Sequence, residues 1–327
     1  MRVYIIRRLL LIIPTVFLTS IIIFFAIRLI PGSVIDIMEA QFSAYYNVPR
    51  AELEARLGLN VPAVEQYGRW IGVAPQANGK ISGILEGDFG LSIWHQDRVL
   101  QDEIGPRIPV TAELTLLGLI VGLLIAIPIG IFSALRQDTW GDYASRTFAI
   151  LCIAIPSFWL GTLVIVYPSI WWNWTPSISY VSFSANPLQN LAMFILPAVV
   201  LGMGMAGVTM RMMRTMLLEV LRQDYIRTAW AKGLRERVVV TRHALKNALI
   251  PVITIVGMQV SFLIGGDVII EQIFNLPGLG RLLINSTQQR DYSVVQGIIL
   301  LFAIVLVVIN LLIDLTYGYF DPRVSYK

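Results

Sequence analysis

Six apolar blocks, each long enough to cross a bilayer, constrain this chain more than any other feature. They run roughly over residues 9–30, 110–135, 147–170, 191–210, 248–270 and 294–320. A helix rises about 1.5 Å per residue, so about 20 residues span about 30 Å of hydrocarbon. No small globule can cover runs of this length. The composition agrees: 56% of residues are hydrophobic and 14% charged, against about 45–50% and about 25% in an ordinary soluble domain. A soluble enzyme, a DNA-binding protein and a disordered chain are thereby excluded. The single cysteine, Cys152, leaves no internal disulfide and no Cys-based zinc finger. Pro14, Pro128, Pro156, Pro197, Gly202 and Gly204 fall inside the runs. In lipid such breaks need neighbouring helices to re-satisfy the backbone, which points to a packed bundle. The expected fold is an all-α membrane protein with six transmembrane helices.

The start of the chain imitates a secretory signal, with Arg2, Arg7 and Arg8 ahead of an apolar run. The run is longer than a usual signal core, and no small-x-small cleavage site follows it, so it reads as an uncleaved first helix. Lys and Arg counts set the orientation. With the N-terminus in the cytoplasm, segments 1–8, 136–146, 211–247 and 321–327 carry 16 basic residues, and segments 31–107, 171–190 and 271–293 carry eight. Six of those eight lie in the long loop 31–107, which translocates largely regardless of charge. Both termini are therefore expected in the cytoplasm. The loop 31–107, with six basic and ten acidic residues, is expected to form a small extracytoplasmic lobe.

The cytoplasmic segment 211–247 is the most informative stretch, with nine basic and three acidic residues. Met212, Met213, Met216, Leu217, Val220 and Leu221 recur at helical spacing, so the fourth span extends beyond the membrane. Residues Asp224 to Lys232 read as a short helix with Asp224 as its N-cap. Gly233 suits the helix stop, where a positive φ is needed. A second helix restarts near Leu234 and enters the fifth span, with Pro251 just inside it. Two readings fit this helix–glycine–helix pattern: a docking element for a cytoplasmic protein, or a basic anchor held at lipid headgroups.

The string DYIRTAWAKG…RHALKNALIPV resembles the cytoplasmic coupling motif of ABC importer permeases, and more narrowly the oligopeptide/dipeptide/nickel permease family. The general motif has a Glu-Ala-Ala triplet four residues ahead of a glycine. Arg227, Thr228 and Ala229 occupy the triplet here and Gly233 the glycine, in the Arg-Thr-Ala form common in the peptide subfamily. Trp230 departs from the Arg expected there, and Ser33-Val34 departs from the usual PGDP after the first span. IIRRLLLIIPT, GDFGLS at 87–92, IPVTAELTLLGL at 108–119, EQIFNLPGLGRLL at 271–283, RDYSVVQG at 290–297 and DPR at 321–323 extend the resemblance over most of the chain.

This resemblance implies an inner-membrane permease that pairs with a second homologous permease around a central pathway. It further implies two ATP-binding cytoplasmic subunits and an extracytoplasmic solute-binding protein. Asp224, Tyr225, Ile226, Arg227, Thr228, Ala229, Lys232 and Gly233 are then the ATPase-coupling residues. The implied division is 1–30 for the N-terminus and first helix, 31–107 for the lobe, 108–320 for a five-helix permease core, and 321–327 for a cytoplasmic tail. The chain itself has no G-x-x-x-x-G-K-[ST]; Gly79-Lys80 is followed by Ile81. It therefore cannot cradle nucleotide phosphates, and ATP hydrolysis must belong to another chain.

Four further residues are pathway or gate candidates. Glu271, Pro277 and Gly278 open a short outer loop, either a gate or a plain Pro-Gly turn. Asp267 follows Gly265-Gly266 near the end of the fifth span, either lining the pathway or reaching headgroups. Asp314 reads as pairing with a neighbouring helix or chain, and Glu113 as a helix-start charge. His95 reads as a surface residue, and Trp171, Trp172 and Trp174 as an aromatic belt. No H-E-x-x-H, Ser/His/Asp set or Cys/His pair is present, so no catalytic site, metal or cofactor is expected. Nucleic acid is not an expected partner. Two other classes remain open at this level: a secondary transporter or channel, for which a midplane ionisable cluster is missing, and an intramembrane enzyme.

Overall fold

The computed structural model describes the backbone of residues 2–29, 31–42, 49–76, 79–176 and 179–320; within these, side chains are described except at 2–9, 39–42, 56, 261–262, 264–267 and 314–320. The described residues are helical with no strand. The long helices are α1 (Arg2–Arg28), α5 (Ile108–Leu135), α8 (Pro187–Leu221), α11 (Leu245–Ile273) and α13 (Tyr292–Phe320). Each holds a window apolar enough to cross a membrane. The predicted third span differs from its expected form. It is two helices, α6 (Trp140–Ala154) and α7 (Ser157–Trp172), bent by 95°. The cause is Pro156: the residue before a proline is pushed out of the helical region, and Ile155 is extended at φ −83°, ψ 117°.

The chain divides into two compact units, one comprising Thr111–Leu276 with the C-terminal stretch from Val308, the other Arg2–Val110 with Pro277–Val307.

In the first unit α8 is the central helix, packed by α6, α7 and α11. Small residues let the backbones approach, as membrane helices require. A Cβ on Gly122 would stand 3.0 Å from the Gly202 carbonyl oxygen, and one on Gly130 would stand 2.8 Å from the Met213 Cβ. Ala126, Ala149 and Ala206 with Met210 fill the space between α5, α6 and α8.

In the second unit the stretch after α1 carries the short helices α2 (Val34–Phe42), α3 (Arg50–Arg56) and α4 (Ala63–Ile71). It folds with other parts of the chain rather than on itself. Ile23 and Ile27 of α1 pack with Trp70, Ile84, Phe89 and with Val295 and Leu300 of α13. Phe24 stacks edge-on with Tyr67, and the Arg28 guanidinium lies 3.4 Å over the Phe24 ring while donating to Gln66 Oε1 at 2.9 Å. Helix α12 (Leu279–Gln288) adds Leu279 and Leu282 to Val99 and Ile104. Asp291 accepts the Ser92 hydroxyl at 2.6 Å and the Ile93 amide at 3.1 Å, and Arg290 donates to the carbonyls of Pro31 and Gly32.

Candidate coupling site

Helix α9 (Asp224–Ala231) occupies the stretch expected from the sequence. Its first residue is Asp224, so the predicted N-cap is corrected by one position. Gln223 takes the extended cap conformation, φ −71°, ψ 148°, with no side-chain cap. Asp224 instead stands in the first turn, where a carboxylate favours the helix dipole, and meets Arg227 at 3.3 Å in an exposed pair.

The helix ends in a Schellman motif. The Gly233 amide donates to the Trp230 carbonyl at 2.9 Å, and the Leu234 amide to the Ala229 carbonyl at 3.4 Å. This closure needs the left-handed region at C′, and Gly233 has φ +76°. The chain then re-enters helix through α10 (Glu236–Val238), a π-helical turn over Val239–Ala244, and α11.

Alternation of faces divides the eight predicted coupling residues. Ile226 and Ala229, three apart on one face, are buried. They join Ala134 of α5, Met213 and Leu217 of α8, and Val239, Ala244, Ala248 and Val252 from the turn and α11. Tyr225, Arg227, Thr228, Lys232 and Gly233 are exposed, as is Trp230. Tyr225 is nevertheless fixed, because Asn247 donates to its hydroxyl oxygen at 2.7 Å. The Thr228 hydroxyl returns to the Asp224 carbonyl at 3.0 Å. The arrangement is a helix seated by its apolar side with a polar and aromatic side left open.

A polar cluster beside this seat was not found by sequence reasoning. Asp142, in the first turn of α6, has no exposed surface. It accepts two parallel bonds from Arg214 of α8, Nε to Oδ1 and Nη2 to Oδ2, both 2.8 Å. It also accepts the Ser133 hydroxyl at 2.6 Å and the Asp138 amide at 3.0 Å. Arg146 stands 3.6 Å away. Arg214 had counted only as one of the loop's basic residues, and no spacing connects it to a carboxylate 72 positions earlier.

The gate candidates fall elsewhere. Glu271 is fully buried near the C-terminal end of α11 and accepts the Thr111 hydroxyl of α5 at 2.5 Å. Gly278 is the N-cap of α12, with Pro277 just before it. The side chains of Asp267 and Asp314, and the DPR tail at 321–323, lie outside the described residues. Glu113 is not a helix-start charge, because α5 begins five residues earlier, at Ile108; it takes the Asn190 amide at 3.3 Å. His95 is exposed, with Nδ1 3.2 Å from Glu103 Oε1. Trp171, Trp172 and Trp174 are exposed. Among the described residues no cluster of His, Cys, Asp or Glu could hold a metal ion.

Long apolar helices, several of them packed on α8, mark a multi-pass membrane protein. The profile of the family described as binding-protein-dependent transport system inner membrane component matches residues 126–326, and this chain belongs to that family. It is a permease subunit of an ABC importer, not itself an enzyme; its family implies ATPase and binding-protein partners. A peptide transport system permease protein of Brucella suis, so named as a putative assignment, is 39% identical over 96% of each chain. The glutathione transport system permease protein GsiC of Escherichia coli K12 is 36% identical over 99% of each chain. Among solved structures, a chain of the inward-facing MetNI methionine ABC transporter aligns with TM-score 0.56 at 16% identity, covering 68% of this chain and 98% of that one. An amino acid ABC transporter crystallised with histidines aligns with TM-score 0.50 at 12% identity, over 68% and 94%. At such identities these two show the fold alone.

Proposed function

We propose that this chain forms half of a pathway for small peptides and that α9 is the lever through which a cytoplasmic ATPase opens it. A second homologous permease supplies the other half, and two ATP-binding subunits and one solute-binding protein complete the assembly. The basic-residue count supports cytoplasmic termini, a cytoplasmic 211–247 loop and an outer lobe at 31–107, with 108–320 forming the pathway. Peptide cargo is supported by the names of the Brucella and Escherichia relatives.

The observation that carries the reading is the two-sidedness of α9. Ile226 and Ala229 lock it to α5, α8 and α11, so a push on its open side moves helices rather than a loose loop. When the ATPases close on ATP, α9 moves as a rigid body and the bundle changes from one access state to the other; hydrolysis resets it. Asp224, Tyr225, Arg227, Thr228 and Lys232 provide the contact surface, and Gly233 holds the stop. Glu271 and Asp267, toward the end of α11 away from α9, serve as a gate, and Pro277 and Gly278 are further gate candidates in the loop that follows in sequence.

The test is Gly233→Val in the reconstituted assembly, with ATP hydrolysis and uptake of labelled trialanine and glutathione measured together. A β-branched residue is costly at positive φ, so uptake should collapse while hydrolysis persists. Wild-type uptake at normal membrane levels would refute the role of α9. Mass spectrometry of the small molecule retained by the binding protein tests the cargo separately; a sugar or a metal complex there would overturn the peptide assignment.

A further inference from the structure

The polar cluster around Asp142 lies against the seat of α9, residue by residue. Each side chain that bonds Asp142 from another helix is next in sequence to a residue of that seat. Ser133 precedes Ala134, and Arg214 follows Met213; Ala134 and Met213 both belong to the cluster that buries Ile226 and Ala229. The α5–α8 approach at the same level is tight, since a Cβ on Gly130 would stand 3.0 Å from the Met210 carbonyl oxygen. Asp138, whose amide supplies the fourth bond, sits in the turn between α5 and α6 at φ +60°. One carboxylate thus ties three helices together: α5 through Ser133, α6 through Asp142 itself, and α8 through Arg214.

We infer that the Asp142–Arg214 fork is a positioning element for coupling. It makes α5, α6 and α8 one block, so that a displacement of α9 is transmitted to α6 as well as to the helices that α9 touches. The apolar seat alone reaches α5, α8 and α11. Ala149 packs α6 against α5 and α8 through apolar contact, and the polar layer adds to that contact the bonds that fix its orientation at the level of the seat, and with α6 the bent α6–α7 pair. Two parallel bonds to a planar guanidinium fix orientation as well as distance, which a lysine in the same place cannot do. This inference rests on the reading of α9 as the lever.

The experiment uses the whole assembly in nanodiscs, with ATP hydrolysis measured with and without the binding protein loaded from a peptide mixture. Two variants are compared with wild type: Arg214→Lys, which keeps the charge and loses the fork, and Asp142→Asn with Arg214→Met, which removes both charges. Both should co-purify with the ATPases and keep basal hydrolysis, while stimulation by the binding protein falls at least about fivefold, within the usual range of coupling between sites. Undiminished stimulation in an assembled Arg214→Lys complex overturns the inference. Failure of Arg214→Lys to assemble also overturns it, because the fork is then a folding requirement and nothing more. If only the double variant fails to assemble, Arg214→Lys decides alone. A control, Arg227→Glu with Tyr225→Ala on the open side of α9, separates the underlying reading: normal ATPase co-purification and stimulation there would refute the lever itself, whatever the fork variants do.

Discussion

Removing Asp142 should cost more than removing Arg214, although they form one ion pair. Asp142→Ala leaves three donors without their acceptor: the Arg214 guanidinium, the Ser133 hydroxyl and the Asp138 amide. Arg214→Met leaves the carboxylate with two of its bonds. Breaking a buried pair from one side costs about 3–5 kcal/mol, and replacing both partners with apolar groups is often nearly neutral. Asp142→Ala should fall in that range, Arg214→Met below it, and Asp142→Asn with Arg214→Met closest to wild type. Thermal midpoints of the purified assembly measure the order; equal losses from the two single variants would contradict it. Gly233 offers a second residue-scale contrast. Nothing lies within 4 Å of a Cβ built there, so the cost of a side chain is conformational, about 1–2 kcal/mol for the left-handed region. Asn tolerates that region better than Ala, so Gly233→Asn should retain more uptake than Gly233→Ala despite its larger size. The reverse order would mean that space, not φ, makes Gly233 necessary.

At the scale of helices, two neighbouring glycines on α8 make opposite predictions. A Cβ on Gly202 would stand 2.7 Å from the Gly118 carbonyl oxygen and 2.8 Å from the Gly122 amide, both backbone atoms of α5; at Gly204 nothing lies within 4 Å. Gly202→Ala should force the helices apart and lower the unfolding midpoint. Gly204→Ala should be neutral or gain up to about 1 kcal/mol of helix propensity. Equal effects in a melting experiment would count against the α5–α8 approach described above. Sequence reasoning located these helices because bilayer thickness fixes the length of an apolar run. It could not choose the bend. Pro128, Pro168 and Pro197 also lie inside helices that stay continuous, so a proline alone does not say which span breaks. The outcome depends on what neighbouring helices do for the freed carbonyl, which is tertiary information. Helix α9 was legible for the opposite reason: its stop needs a residue that accepts positive φ, and Gly233 declares it locally. The Asp142 cluster was illegible because its partners come from three helices and share no period.

For the molecule as a whole, the sequence suggested a small extracytoplasmic lobe at 31–107, and the compact unit that contains this stretch also takes in α1, α12 and the first half of α13. The reason is visible in two adjacent residues, Arg290 and Asp291. One holds the turn at Pro31 and Gly32, the other the turn at Ser92 and Ile93. These bonds reach 198 to 259 positions along the chain, so expressing 31–107 alone should give an unfolded product. The orientation is testable, because exposed residues flank the stretch of spans from α5 to α8. Cys152 is the only thiol and is buried, so Cys152→Ala provides a clean background. Asp97 in the segment 31–107 and Arg235 just after α9 are both exposed. Asp97→Cys should react with a membrane-impermeant maleimide on intact cells whose outer barrier, where present, has been opened. Arg235→Cys should react only after the inner membrane is permeabilised. The two sites are separated by α5, the bent α6–α7 pair and α8, an odd number of crossings only if the bent pair spans the membrane once. Labelling of both positions from the same side would therefore mean that α6 and α7 turn back within the bilayer, and if that side is the outer one, α9 would face the solute-binding protein instead of the ATPase.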